Sequence, residues 1–262
     1  MPMTVAEITR QLRQANADEF AVLERSFAAD PRKGVRQAVE TARRRLAAEA
    51  AEQARLDGLY DFQNELARSR NATCIVGLDE VGRGPVAGPL AVGAVVLPDE
   101  PHIPKLNDSK QLTPAEREEI AAQVRTVARA VAVQYVEPAD IDADGMTACL
   151  KRAFRAAIAA IEDQGVHPDL VLIDGNPLHI DPREVTIVKG DAKCASISAA
   201  SIVAKVDRDA LMCRLAQKYP EYGFEKNKGY GSAEHIAAIR AHGLSPVHRA
   251  SFCHAFTQES LF

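Results

Sequence analysis

Four carboxylates stand where apolar runs end. Ile75 to Leu78 reads as a short buried strand and delivers Asp79 and Glu80 into a turn built on Gly82, Arg83 and Gly84. Leu170 to Ile173 ends in Asp174 and Gly175, and Val185 to Val188 ends in Lys189, Gly190 and Asp191. An unpaired charge is costly to bury, so acids in such places either meet a cation or have reached the surface. Ligands gather at the carboxyl ends of strands in open α/β sheets, which would let these four converge from distant parts of the chain. Any one of them alone is equally a turn-former or a helix cap, and for Asp191 alone that plainer reading is the better one; together they point to one site. Oxygen ligands without His or Cys suit Mg²⁺ or Mn²⁺ and do not suit zinc. Two such ions about 4 Å apart can activate a water and stabilise the leaving oxygen of an in-line phosphoryl displacement. Successive strand residues face opposite sides, so Asp79 and Glu80 share a site only if the strand ends or twists between them. The glycine turn is expected to allow that.

The neighbouring residues suit a phosphodiester. Arg83 lies between glycines, where backbone amides are accessible, and Lys189 and Lys193 flank Asp191. Ser196, Ser198 and Ser201 fall in a helix expected from Cys194 to Lys218, whose N-terminus favours an anion. Lys226, Lys228, Gly229 and Tyr230 put an aromatic ring in a basic, glycine-rich loop, a common way to hold a base or sugar, although a lone Tyr there is also ordinary packing. Asp207 and Asp209 read as ion-pair partners of nearby arginines. Gly82, Gly84 and Gly88 do not make a dinucleotide loop: Pro85 interrupts them, and a strand follows where a pyrophosphate needs a helix.

The elements that must position these groups occupy the chain from Asn71 onward, where short apolar runs alternate with helical stretches as in an α/β domain. Further strands are expected at Leu90–Leu97 and Val127–Val136, and helices from Thr113 to Arg125 and from Met146 to Glu162. Residues 1–70 read as a helical N-terminal extension, with a capping box at Thr4 and Glu7, a helix start at Asp30-Pro31, and a thin apolar stripe through Val35, Val39, Leu46, Leu56 and Leu59. Arg43, Arg44 and Arg45 in this extension either hold a phosphate backbone or form a solvated, charged face. The extension carries 12 Lys+Arg and 11 Asp+Glu, which leaves 20 and 25 of the totals of 32 and 36 to residues 71–262. Bulk charge therefore gives no nonspecific affinity for nucleic acid, and any such binding must be local. The 262 residues contain no apolar run of membrane-spanning length, no apolar stretch near the N-terminus of signal-peptide type, and five scattered cysteines without zinc spacing. A cytoplasmic protein with reduced thiols is expected.

Several stretches, in order from Cys74 to Phe252, together resemble bacterial ribonuclease HII. They are DEVGRG at Asp79–Gly84 with GPVAGP after it, NDSK at Asn107–Lys110, IDG at Ile173–Gly175, KGD at Lys189–Asp191, AASIVAKVDRD at Ala199–Asp209, KGYG at Lys228–Gly231 and PVHRASF at Pro246–Phe252. The resemblance implies a ribonuclease H-like fold, with a mixed central sheet of about five strands flanked by helices and a helical C-terminal region, so that residues 71–262 are the catalytic domain. It implies cleavage on the 5′ side of a ribonucleotide, in an RNA/DNA hybrid or singly embedded in duplex DNA, leaving a 3′-hydroxyl. Asp79, Glu80, Asp174 and Asp191 would then be the catalytic, metal-binding carboxylates. Gly82, Arg83 and Gly84 would contact the 2′-hydroxyl and its phosphate, Tyr230 would stack on the sugar, and Ser109, Lys110 and Lys189 would contact the backbone. The Gly-Arg-Gly element favours type HII over the related type HIII, and the protein is expected to act as a monomer. The N-terminal helices lie outside the family core known from the resemblance. Gln258–Phe262, QESLF, is similar to the short motif by which bacterial proteins dock on the sliding clamp.

Overall fold

A computed structural model describes residues 3–257; the clamp-like motif at residues 258–262 lies outside them. The chain forms two compact units, Met1–Asp57 and Gly58–Phe262. The first is built from α1 (Val5–Gln14), α2 (Ala17–Phe27) and most of α3 (Lys33–Ser69). Thr4 and Glu7 make the expected capping box, and Asn16 with Glu19 makes a second. Ile8, Leu12, Phe20, Val35 and Ala42 form its core. The arginine run is taken up by neighbours: Arg43 pairs with Glu24 and Glu40, Arg44 with Glu40, and Arg45 with Glu49.

The second unit holds a mixed sheet of five strands in the order β3-β2-β1-β4-β5. These are β1 (Ile75–Val81), β2 (Leu90–Val96), β3 (Ala130–Val136), β4 (Leu170–Asp174) and β5 (Glu184–Ile187). β1, β2 and β3 pair antiparallel in sequence, while β4 runs parallel to β1 and β5 parallel to β4. β3 begins later than the sequence suggests, because α4 (Pro114–Val127), capped by Thr113 with Glu116, keeps its helical hydrogen bonds through Val127. Strand parity divides the core. Val76, Leu78, Val92, Val96, Val171 and Ile173 face the apolar stripe of α6 (Met146–Glu162), which follows the short α5 (Pro138–Asp144). Gly77 and Gly93 face α7 (Ala195–Lys218) on the other side. A Cβ on Gly93 would lie 2.4 Å from the Ala200 carbonyl oxygen, and one on Gly77 2.3 Å from the Ser196 carbonyl carbon. Only glycine lets α7 rest directly on β1 and β2.

The last turns of α3 belong to this second unit. Gln63 accepts from the Ser196 N–H at 3.0 Å, capping the start of α7, and Tyr60 accepts from the Ile103 N–H at 3.0 Å. After α7 come α8 (Phe224–Asn227), α9 (Ala233–His242) and α10 (Ala250–Thr257). Their core of Tyr222, Phe224, Ile239 and Cys253 takes in Val86 and Ala87 from the loop between β1 and β2.

Candidate metal centre

The parity that buries Gly77 beneath α7 also turns Asp79 to that face. On β4, Leu170 and Leu172 pack with Cys194 and Ile197 of the α7 side, so Asp174 at the strand end faces the same way. The register sets Leu78 beside Ile173, which brings the two aspartates to adjacent strand ends. Asp191 comes from a single 3-10 turn, Gly190–Ala192, between β5 and α7. The Gly190 N–H donates to Asp174 Oδ1 at 2.6 Å and holds that turn against β4. One carboxylate oxygen from each of Asp79, Asp174 and Asp191 lies within 4.8 Å of the others.

Glu80 stands outside this triangle. β1 does not end between the two acids but continues to Val81, pairing Asp79 with Gly93 and Glu80 with Val92. The Glu80 carboxylate pairs with Arg83 at 3.2 Å, yet its charge is the largest acting on the Asp79 carboxyl and that of Asp174 acts on it in turn, so it lies at the edge of the triangle. The strand runs through both acids to Val81 without ending between them, and the glycine turn begins only after it.

The centre is a poor place for charge without a counter-ion. Burial, with the Glu80 charge next, raises the Asp79 carboxyl well above its usual range, against the opposing hydrogen bond from the Ser201 hydroxyl. Burial likewise raises Asp174, with Asp191 adding to it and the Gly190 N–H opposing. Glu80 is raised by burial in spite of Arg83. Lys110 Nζ donates to Asp191 Oδ2 at 3.1 Å, placing a single positive charge at one corner of the cluster. Burial lowers the Lys110 ammonium pKa, but the Asp191 hydrogen bond and charge outweigh it and the net movement is upward. Three carboxylates from three elements, with no His or Cys among them, fit a hard divalent cation.

The remaining residues singled out from sequence take several positions. Ser109 is buried and shares a 3.1 Å hydrogen bond with Ser201, so it reaches Asp79 only through that second hydroxyl. Lys189 is exposed with a left-handed backbone, two residues before Asp191. Gly82 has φ +89°, and a Cβ there would strike Arg208 Nε at 2.3 Å. Arg83 is exposed, and the Tyr230 ring is 47% exposed with an edge carbon 3.9 Å from where a Gly84 Cβ would be. Asp207 pairs with Arg125 at 2.6 Å as expected, whereas Asp209 pairs with Lys205 at 2.8 Å.

Sequence reasoning passed over two fully buried arginines. Arg249 Nε and Nη2 donate to the Gly88 carbonyl, Nη1 to that of Arg83 at 3.0 Å and Nη2 also to that of Gly82 at 2.7 Å. Arg208 donates to the carbonyls of Pro89, Lys228 and Ala87. Neither forms an ion pair among the described residues, and burial with the Arg208 charge brings Arg249 down to about 10, still protonated at neutral pH. Their signal in the sequence was an Arg inside each of the AASIVAKVDRD and PVHRASF stretches, which alone does not distinguish a buried fork from a surface charge.

A mixed five-stranded sheet with helices on both faces, gathering carboxylates at its strand ends beside an exposed arginine and tyrosine, defines a ribonuclease H-like nuclease. Residues 76–255 match the family Ribonuclease HII, and residues 4–67 match Ribonuclease HII N-terminal domain. A ribonuclease HII of Bacillus cereus (strain B4264) is 40% identical over 253 residues, 95% of each chain. The crystal structure of ribonuclease H2 from Pyrococcus horikoshii OT3 superposes with a TM-score of 0.60 at 28% identity, covering 71% of this chain and 100% of that one. The ribonuclease HII in a complex with PCNA from Archaeoglobus fulgidus gives a TM-score of 0.60 at 28% identity, covering 71% and 98%. The chain belongs to the ribonuclease HII family. The N-terminal helices, expected to lie outside the family core, are shared with relatives and match a family domain of their own.

Proposed function

We propose that the protein is a divalent-metal-dependent endoribonuclease that cleaves the RNA strand of RNA/DNA hybrids and nicks duplex DNA 5′ to a single embedded ribonucleotide, leaving 3′-hydroxyl and 5′-phosphate ends. The observation that carries this reading is the Asp79–Asp174–Asp191 triangle on the same unit as the Gly82–Gly84 loop and the exposed Tyr230 ring. Asp79, Asp174 and Asp191 would hold one Mg²⁺ or Mn²⁺, and Glu80 would complete a second site beside them. When bound, the ions lower the pKa of a water and offset charge on the leaving oxygen. The chain's own residues do the rest: Arg83 and the loop amides take the ribonucleotide and its phosphate, Tyr230 stacks on the sugar, and Lys110 and Lys189 contact the backbone. Ser109 holds Ser201 against Asp79. Residues 71–262 are the catalytic domain and 1–70 an extension of it; the protein works as a cytoplasmic monomer.

The test is a duplex DNA with one ribonucleotide, incubated with Mg²⁺ or Mn²⁺ and scored for a nick 5′ to it. Absence of the nick with either ion would falsify the reading. A nick at the same position when that sugar is deoxyribose would instead favour an enzyme that cuts by DNA shape. Docking on a sliding clamp through Gln258–Phe262 is a separate proposal, supported by the PCNA complex of the Archaeoglobus fulgidus relative. Immobilised clamp should retain the full chain and release it once Leu261 and Phe262 are deleted.

A further inference from the structure

The loop proposed to read the ribose makes few backbone bonds of its own, and Arg249 supplies them. Arg249 is wholly buried, and its guanidinium takes the Gly82 and Arg83 carbonyls at 2.7 and 3.0 Å together with that of Gly88. In a trans peptide the C=O and N–H point in opposite directions. Two successive carbonyls drawn inward to one guanidinium therefore send the Arg83 and Gly84 N–H groups outward. Neither N–H has a protein acceptor among the described residues. The outward side is open: Arg83 is exposed, and the nearest group to a Cβ on Gly84 is the Tyr230 ring. The base of the arrangement is equally fixed, since the Arg249 N–H donates to the Val86 carbonyl at 2.8 Å and the Gly88 N–H to that of Val247 at 2.7 Å. A planar fork can hold several carbonyls in set directions, whereas an ammonium cannot.

We propose that Arg249 is a positioning residue for ribonucleotide recognition: by capturing the Gly82 and Arg83 carbonyls it presents the Arg83 and Gly84 amides as a fixed pair of donors to the ribose hydroxyl and adjoining phosphate oxygen. This rests on the reading that the loop contacts the ribonucleotide. Arg249 touches no substrate atom; it acts through the backbone it orients.

The experiment measures binding in the full-length Asp174→Asn protein, which holds substrate without cutting it. Its affinity for duplex DNA containing one ribonucleotide is compared with that for the all-deoxy duplex, with and without Arg249→Lys. The lysine keeps the charge and loses the fork. The preference for the ribonucleotide should fall by about 10-fold, the effect of a hydrogen bond or two, while affinity for the all-deoxy duplex stays the same. In the otherwise native enzyme the same change should lower kcat by about 100-fold, as expected for a misplaced reacting group. A core truncation, Ile161→Ala, lowers stability away from the loop and should leave the preference intact. Retention of the preference in Arg249→Lys overturns the inference and leaves the proposed function standing. Absence of any preference when Arg249 is intact overturns both. Should Arg249→Lys not fold, nitrogen relaxation on the unaltered protein decides: Arg83 and Gly84 amides with order parameters near 0.85 fit fixed donors, and values below about 0.6 overturn them.

Discussion

Asp79 carries its charge at a cost, being 7% exposed with Glu80 next to it in sequence and two further carboxylates around it. Its folded pKa lies above its unfolded one, so its contribution to stability is full at low pH and is lost as pH rises through the raised value. With a chelator at neutral pH, Asp79→Asn should therefore melt higher than the native chain, by about 2–4 °C for each kcal/mol of relieved repulsion. Mg²⁺ should reverse the order. Nuclease activity should fall by at least about 100-fold in both Asp79→Asn and Asp174→Asn, measured as nicking of the ribonucleotide duplex, if each holds a metal. The presence of these acids at strand ends is legible in the sequence. How Glu80 stands toward the triangle is not, because that depends on two more residues of ladder between β1 and β2.

At the scale of elements, α7 is the part on which the centre is built, and its approach to the sheet depends on Gly77 and Gly93. Gly93→Val should cost about 1–3 kcal/mol or more by overpacking, read as a lower denaturant midpoint, and should reduce metal affinity as Asp79 moves from Asp191. The C-terminal helices hold a second device. The Ser245 N–H donates to His248 Nδ1 at 3.0 Å, so His248 carries its proton on Nε2 and gives it to His235 Nε2 at 3.0 Å; His235 Nδ1–H then donates to the Tyr230 carbonyl at 2.8 Å. Burial, followed by repulsion between the two rings when protonated, lowers His248 to about 4, and burial lowers His235 as well. A base depressed from 6.5 to about 4 binds its proton first in the unfolded chain, so stability falls as pH drops across that window, by on the order of 3 kcal/mol. Because the carboxylate centre titrates in the opposite sense, denaturant midpoints between pH 7 and 4 are best taken in the Asp79→Asn background. Addition of His248→Gln should flatten the slope.

For the whole molecule, the useful boundary is the one between Asp57 and Gly58, inside α3. A chain beginning at Gly58 keeps Tyr60, the Gln63 cap on α7 and the Ala67 packing; a chain beginning at Asn71 loses all three. The shorter chain should be less stable by on the order of 3 kcal/mol, from one cap and one buried aromatic, measured as its denaturation midpoint against the Gly58 form. The arginine run of the first unit, Arg43 to Arg45, is already paired with glutamates. Removing residues 1–57 should accordingly change the salt dependence of duplex binding by less than one phosphate contact.

The sequence by itself determined the class of fold and marked the three carboxylates that meet, because alternating apolar runs and helical stretches are local patterns and an acid at the end of a buried strand stands out against them. It also marked the loop and the tyrosine, through glycine and a ring placed among basic residues. Only the tertiary structure decided which carboxylates meet, since register and strand parity are set between segments distant in sequence. Only there, too, do Arg208 and Arg249 become visible as buried forks: what makes them so is the set of carbonyls around them, and apart from that of Lys228 these come from Gly82 to Pro89, far along the chain from either arginine.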